Sequence, residues 1–245
     1  MRSIGVFSVK GGVGKSAVAV NLAHAAATLS GRRTLLWDLD AQAAATYTLR
    51  LSAQPNMSAR KGIAEGDLAR LIQASDYPGL DVLPADKSLR HLEKQLAEDE
   101  KAKRLKKLLK SLDRDYDRIV LDCPPGLTEL AEQLFRAVDL LVVPMLPSPL
   151  SVRAFEQLQE HLARHLKADA PPLMPVFSMV DRRKTLHRET VASAPERLCI
   201  PYAAEIEAMA VTQTPVLAKT TTTPAAKAFS RLWADVERRL SKLPA

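Results

Sequence analysis

Val9-Lys10-Gly11-Gly12-Val13-Gly14-Lys15-Ser16 is the stretch on which the fold turns. A short apolar run at residues 4–9 leads into it and a helical pattern at residues 16–29 leaves it, so the glycines join a strand to a helix. Glycines at 11, 12 and 14 let successive amide hydrogens turn inward, where they can face phosphate oxygens, and the helix start adds its positive dipole end. In such a loop Lys15 reaches the β- and γ-phosphates of a nucleotide, and the Ser16 hydroxyl binds Mg²⁺. The phosphate cradle then comprises Gly11, Gly12, Val13, Gly14, Lys15, Ser16 and Ala17.

Working outward, apolar runs bounded by turn residues recur at 34–39, 80–84, 118–121, 140–144 and 174–180, each too short for a helix. Helical patterns lie between or after them at 88–112, 128–137, 149–166 and 225–240. Ser148 is placed to cap the third of these, with Pro149 in its first turn where no amide hydrogen is needed. The alternation predicts an α/β protein, a mostly parallel twisted sheet with helices on both faces, in a P-loop NTPase fold. No repeat, low-complexity tract or polar linker divides the chain, so residues 1–245 read as one domain.

Two of the strands end in acids. The second runs into Trp37-Asp38-Leu39-Asp40-Ala41-Gln42 and the fourth into Asp122-Cys123-Pro124-Pro125-Gly126. Ligands of open parallel sheets bind at the carboxyl ends of strands, which puts these acids toward the nucleotide. Strand alternation predicts that Asp38 and Asp40 share a face. Cys123, with no histidine or second cysteine nearby in sequence, reads as buried filler.

The loop departs from the general P-loop pattern in having Val9 where glycine is expected and a second lysine at position 10. In this it resembles the ParA/MinD family of deviant Walker-motif ATPases, whose loop reads Lys-Gly-Gly-x-Gly-Lys-Ser/Thr. The match runs from Lys10 to Ser16 without a gap, and Asp38-Leu39-Asp40-Ala41-Gln42 resembles the family's Asp-x-Asp-Pro-Gln with Ala41 in place of proline. Asp122-Cys123-Pro124-Pro125 resembles its Walker-B-like Asp-x-Pro-Pro. The resemblance implies ATP and Mg²⁺ as ligands and an ATP-dependent sandwich homodimer, with Lys10 reaching the partner subunit's nucleotide. It implies that Lys10, Lys15 and Asp40 are catalytic, Asp40 by orienting water, and that Ser16, Asp38 and Asp122 serve the metal. Asn21 and, more loosely, Asp181 in Ser178-Met179-Val180-Asp181-Arg182-Arg183 match family positions, the latter near adenine.

A ParA-like ATPase positions plasmid, chromosome or protein cargo, with hydrolysis stimulated by a ParB-like or other adaptor. Two alternatives share the superfamily: a MinD-like membrane switch and a dethiobiotin-synthetase-like ligase. The chain opens at its first strand, so no helix-turn-helix extension for operator binding is expected.

Composition sets the outer bounds. At 245 residues with 47% hydrophobic and 26% charged residues the chain is globular, and disorder and collagen-like repeats are excluded. Two distant cysteines fit a reducing compartment, and no apolar run is long enough to span a bilayer, which predicts a cytoplasmic protein; the family resemblance implies that it is nucleoid-associated. The net charge of +7 favours a polyanion such as nonspecific DNA. The arginines that resembling DNA binders carry after Ile-Pro are absent from Ile200-Pro201-Tyr202-Ala203-Ala204-Glu205. The remaining basic surfaces are residues 101–110 and the C-terminal Lys219, Lys227, Arg231, Arg238, Arg239 and Lys242. His161 and His165, four apart on a helix, lack a third ligand nearby and read as a solvated face.

Overall fold

The structure is a computed structural model describing residues 1–54, 58, 61–62, 65–66, 68–91 and 104–244. In chain order, the first half contains β1 (Arg2–Val6), α1 (Lys15–Ser30), β2 (Thr34–Asp38), α2 (Ala44–Thr48), β3 (Gln73–Ala74), β4 (Leu80–Leu83), α3 (Arg104–Ser111) and β5 (Arg118–Asp122). There follow α4 (Glu129–Phe135), β6 (Leu140–Met145), α5 (Pro149–His165), β7 (Leu173–Val180), α6 (Thr185–Ala192) and β8 (Cys199–Pro201). Three short helices, α7 (Ala204–Glu207), α8 (Met209–Thr212) and α9 (Val216–Lys219), lead to the last, α10 (Pro224–Leu240).

The strands form one sheet in the order β3-β4-β2-β5-β1-β6-β7-β8. All neighbours are parallel except β3 and β4. Helices cover both faces, so each central strand is buried on both sides and its sequence is continuously apolar rather than alternating. In β2, Leu35 and Trp37 enter the core shared with α3, α4 and α5, whereas Leu36 enters the core shared with α1 and α10. On that second side Phe229, Leu232, Trp233, Val236 and Leu240 of α10 are buried, and Trp233 Nε1 donates to Ser30 Oγ at 2.8 Å. The apolar stripe of the last helix is therefore consumed by the core rather than presented as a membrane-binding face.

Several boundaries differ from the sequence expectation. The first strand ends at Val6 rather than residue 9, because residues 7–9 already bend into the glycine loop. Edge strands β3 and β8, of two and three residues, carry too little pattern to be read. The helix expected over 88–112 departs from α geometry at its start, where residues 87–91 form a 3-10 turn; Arg104–Ser111 is α-helical, and the stretch between lies outside the described residues. Pro149 does occupy the first turn of α5, but the Ser148 hydroxyl bonds to Ser151 Oγ at 3.1 Å and caps no amide. Thr128 does cap α4, accepting from the Ala131 amide.

Candidate functional site: a phosphate cleft at the strand ends

The glycine loop leaves the carboxyl end of β1, between β5 and β6, and closes directly onto α1. Gly12 and Gly14 take φ values of +71° and +83°, the left-handed region that a side chain would strain. Gly14 is doubly constrained, since a Cβ there would lie 3.1 Å from Ser178 Oγ on β7. The loop thus packs on β7 through its smallest residue while its amides stay free to face the solvent side.

An open cleft of about 420 Å³ lies over this loop, lined by Gly11, Gly12, Gly14, Lys15, Ser16, Ala17, Asp40, Gln42 and Pro125. The loop, the first acid cluster and the Pro-Pro segment, which are far apart in sequence, meet there. Lys15, buried at the helix start, is among the residues that line the cleft. Gln42 and Pro125, two and three residues after Asp40 and Asp122, line the cleft beyond the residues that the sequence motifs assign to it.

Lys10 lies elsewhere. It is half-buried in a crevice formed with Val143 and Met145 of β6 and Ser151, Phe155 and Leu158 of α5, and it does not line the phosphate cleft. Asp181 is likewise not among the cleft residues. Both its carboxylate oxygens accept from Arg183 at 2.9 Å, and its backbone amide donates to His187 Nδ1 at 3.0 Å.

The acids are arranged differently from the pleat expectation. β2 stops at Asp38, so Asp40 stands in the following turn, half-exposed, with its Oδ1 accepting from the Gln42 amide at 2.9 Å. Asp38 is fully buried. Its Oδ2 accepts from the Thr46 amide at 2.9 Å and the Thr46 hydroxyl at 2.7 Å, and its Oδ1 accepts from the Asp40 amide at 3.1 Å. The Thr46 oxygen in turn accepts from the Ala85 amide at 3.0 Å, clamping α2 onto the ends of β2 and β4. Nothing in the sequence marks Thr46, because the contact spans eight residues through a loop of irregular backbone.

Asp38 pairs in register with Asp122 on the neighbouring strand, placing two buried carboxyls side by side. Burial pushes Asp38 up to about 6, against the opposing pull of the Thr46 hydrogen bonds. Asp122 is driven well above the usual carboxylate range by burial and then by the Asp38 charge, more than Ser16 and Lys15 nearby can offset. Both Asp122 oxygens are buried without a hydrogen-bond partner. A buried, unpartnered carboxyl beside a hydroxyl and a lysine is costly unless a cation completes it, so the donor set fits Mg²⁺. Cys123 is buried, as expected, and its thiol is pushed up by burial. His161 contacts Glu132 and stacks on His165 at 4.3 Å, and among the described residues no group of three or more His, Cys, Asp or Glu side chains, this pair included, is placed to share a metal.

A glycine loop closing on a helix start, with acids at the ends of adjacent parallel strands, defines the P-loop nucleotide-binding class. A family model for the AAA domain matches residues 1–172. The sporulation initiation inhibitor protein Soj of Bacillus subtilis is 31% identical over 189 residues, covering 75% of this chain and 74% of Soj. The chain belongs to the ParA/MinD family of P-loop ATPases. Among solved structures, the ATP complex of McdA from Cyanothece superposes with a TM-score of 0.82 at 18% identity, covering 100% of this chain and 98% of that one. Cobyrinic acid a,c-diamide synthase from Mycobacterium smegmatis, with an ATP analogue and magnesium, gives 0.80 at 24% identity over 99% and 96%. The fold is therefore common to McdA and to a diamide synthase, and function must be argued from the site.

Proposed function

We propose that this chain is a ParA-like ATPase: it binds ATP with Mg²⁺, closes into a sandwich homodimer, and hydrolyses ATP when a ParB-like or other adaptor protein stimulates it. The cycle positions a plasmid, chromosome or protein cargo on the nucleoid, through nonspecific DNA contact, in the cytoplasm. Among the described residues no helix is long and apolar enough to cross a membrane.

One observation carries the reading. Lys10 is packed in the β6–α5 crevice, outside the cleft that would hold its own subunit's phosphates. A lysine of the glycine loop with no place at its own phosphates is suited to a second subunit's. The burial of the α10 stripe removes the feature that favoured a membrane switch.

In this reading the loop amides and Lys15 hold the triphosphate and fix the γ-phosphoryl group for in-line attack. Ser16 and Asp122 would hold Mg²⁺, which would supply charge neutralisation for the triphosphate, and Asp38, clamped by Thr46, backs that pair. Asp40, half-exposed at the cleft edge, orients the attacking water. Lys10 of the other subunit steadies the charge that develops on transfer. Asp181 contributes at the adenine end only if its Arg183 pairing opens.

Single-turnover and steady-state hydrolysis of Lys10→Ala test the proposal. ATP binding should persist, with hydrolysis and ATP-dependent dimerisation lost. Full steady-state activity from a monomeric variant would refute it.

A further inference from the structure

We propose that Asn21 is a positioning residue for the metal site: through the segment 209–217 it sets how α2, and with it Asp38, stands against the first turn of α1. The inference rests on the Mg²⁺·ATP reading above and adds to it a residue that lines no part of the phosphate cleft.

Asn21 is fully buried, one turn along α1 from Ala17, which does line the cleft. Its amide group is engaged on every side. Nδ2 donates to the Ala17 carbonyl at 2.9 Å and to Met209 Sδ at 3.3 Å, and Oδ1 accepts from the Leu217 amide at 3.3 Å. Leu217 stands in the first turn of α9, where the preceding Pro215 has no side-chain acceptor to offer the free amides of a helix start. Asn21 supplies that acceptor from another helix. One side chain therefore fastens α8 and α9 to the helix that carries Lys15 and Ser16. An apolar residue at position 21 would leave the Leu217 amide buried without a partner, a cost that moving the segment would relieve.

The fastened segment bears on α2 from its other side. Gln213 Nε2 donates to the Tyr47 carbonyl at 3.0 Å, and Arg50 Nη2 donates to the Thr212 carbonyl at 3.3 Å. Behind these bonds Leu49 of α2, Met209 and Leu217 enter the same core as Leu22 of α1. The neighbour of Tyr47 on α2 is Thr46, whose amide and hydroxyl hold Asp38 Oδ2. The segment is thus a wedge between the helix that bears Ser16 and the helix that holds Asp38, which itself pairs in register with Asp122. Mg²⁺ tolerates little departure from its preferred donor arrangement, so a shift of α2 against α1 weakens the site without touching a donor.

The test compares full-length wild type with Asn21→Ala, Gln213→Gly and a control, Trp233→Phe. Gln213→Gly removes the bond to Tyr47 at a φ of +48° that glycine accepts, and carries the same expectations if Asn21→Ala fails to fold. Trp233→Phe removes the bond to Ser30 at the far end of α1, disturbing the same helix away from the wedge. In ligand-free protein, hydrogen exchange followed by mass spectrometry should be about tenfold faster across residues 44–51 in Asn21→Ala and Gln213→Gly, with β1 and β5 unchanged. The second measurement is the gain in affinity for a slowly hydrolysed, fluorescent ATP analogue when EDTA is replaced by a fixed Mg²⁺ concentration. That gain should shrink about tenfold or more in both variants, while affinity in EDTA stays at the wild-type value. Trp233→Phe should keep wild-type values of both quantities even as its melting temperature falls. A wild-type gain in Gln213→Gly or in folded Asn21→Ala would overturn the proposal and leave the Mg²⁺·ATP reading standing, as would unchanged exchange over 44–51 or an equal loss in Trp233→Phe. A wild-type protein that shows no gain with Mg²⁺ would remove the metal reading, and the proposal with it.

Discussion

Replacing Asp122 by asparagine should make the ligand-free protein more stable and the liganded protein less so. Asp122 and Asp38 are buried side by side, and neither Asp122 oxygen has a hydrogen-bond partner. Removing one of two adjacent buried charges, of nearly equal volume to its replacement, should raise ligand-free stability by about 1–3 kcal/mol. For a chain of this size that is a rise in melting temperature of about 2–10 °C. The pH dependence has a definite sign. A carboxyl whose folded pKa is raised holds its proton more tightly folded than unfolded, so its ionisation costs stability as pH rises. For Asp38 that window runs from 3.8 to about 6, and for Asp122 from 3.8 upward. The advantage of the variant over wild type should therefore be small near about pH 4 and larger at about pH 8. Mg²⁺·ATP at about a hundredfold over its Kd should stabilise wild type by about 2.7 kcal/mol, and the variant by much less. Thermal unfolding followed by circular dichroism, with and without Mg²⁺·ATP at both pH values, measures every quantity. A variant that melts below wild type without ligand at about pH 8, or gains as much from Mg²⁺·ATP, would refute the reasoning.

Asp40→Ala removes the carboxylate at the cleft edge and leaves the loop and Lys15 in place; it should accumulate an ATP-bound dimer, visible by light scattering, with hydrolysis reduced at least about a hundredfold. Thr46→Val deletes the hydroxyl between Asp38 and the Ala85 amide, leaving that amide without its partner, and should cost about 1–3 kcal/mol in denaturant unfolding, with Thr46→Ser recovering most of it. Gly14→Ala places a Cβ 3.1 Å from Ser178 Oγ at a φ of +83°, and should lose about 1–2 kcal/mol of stability together with ATP affinity measured by calorimetry.

How much of this could be read beforehand follows from where the information resides. The central strands were legible because burial on both faces makes them uninterrupted apolar runs, and that pattern needs no knowledge of neighbours. Edge strands β3 and β8 were not, since two or three residues carry no period. The 3-10 turn at the start of the 88–112 pattern was hidden because apolar spacing over five residues does not distinguish it from an α-helical turn.

The same division holds for the site. By itself, the sequence determined the glycine loop from Lys10 to Ser16, a local motif whose glycines dictate backbone shape, and it placed Asp122 at a strand end and Asp40 close beyond another. Only the tertiary structure decided that Asp38 is buried against Thr46 and Asp122, that Lys10 lies outside its own phosphate cleft, and that Asn21 bonds to Met209 and Leu217. These are consequences of sheet order and helix packing, which bring together residues that no local pattern connects.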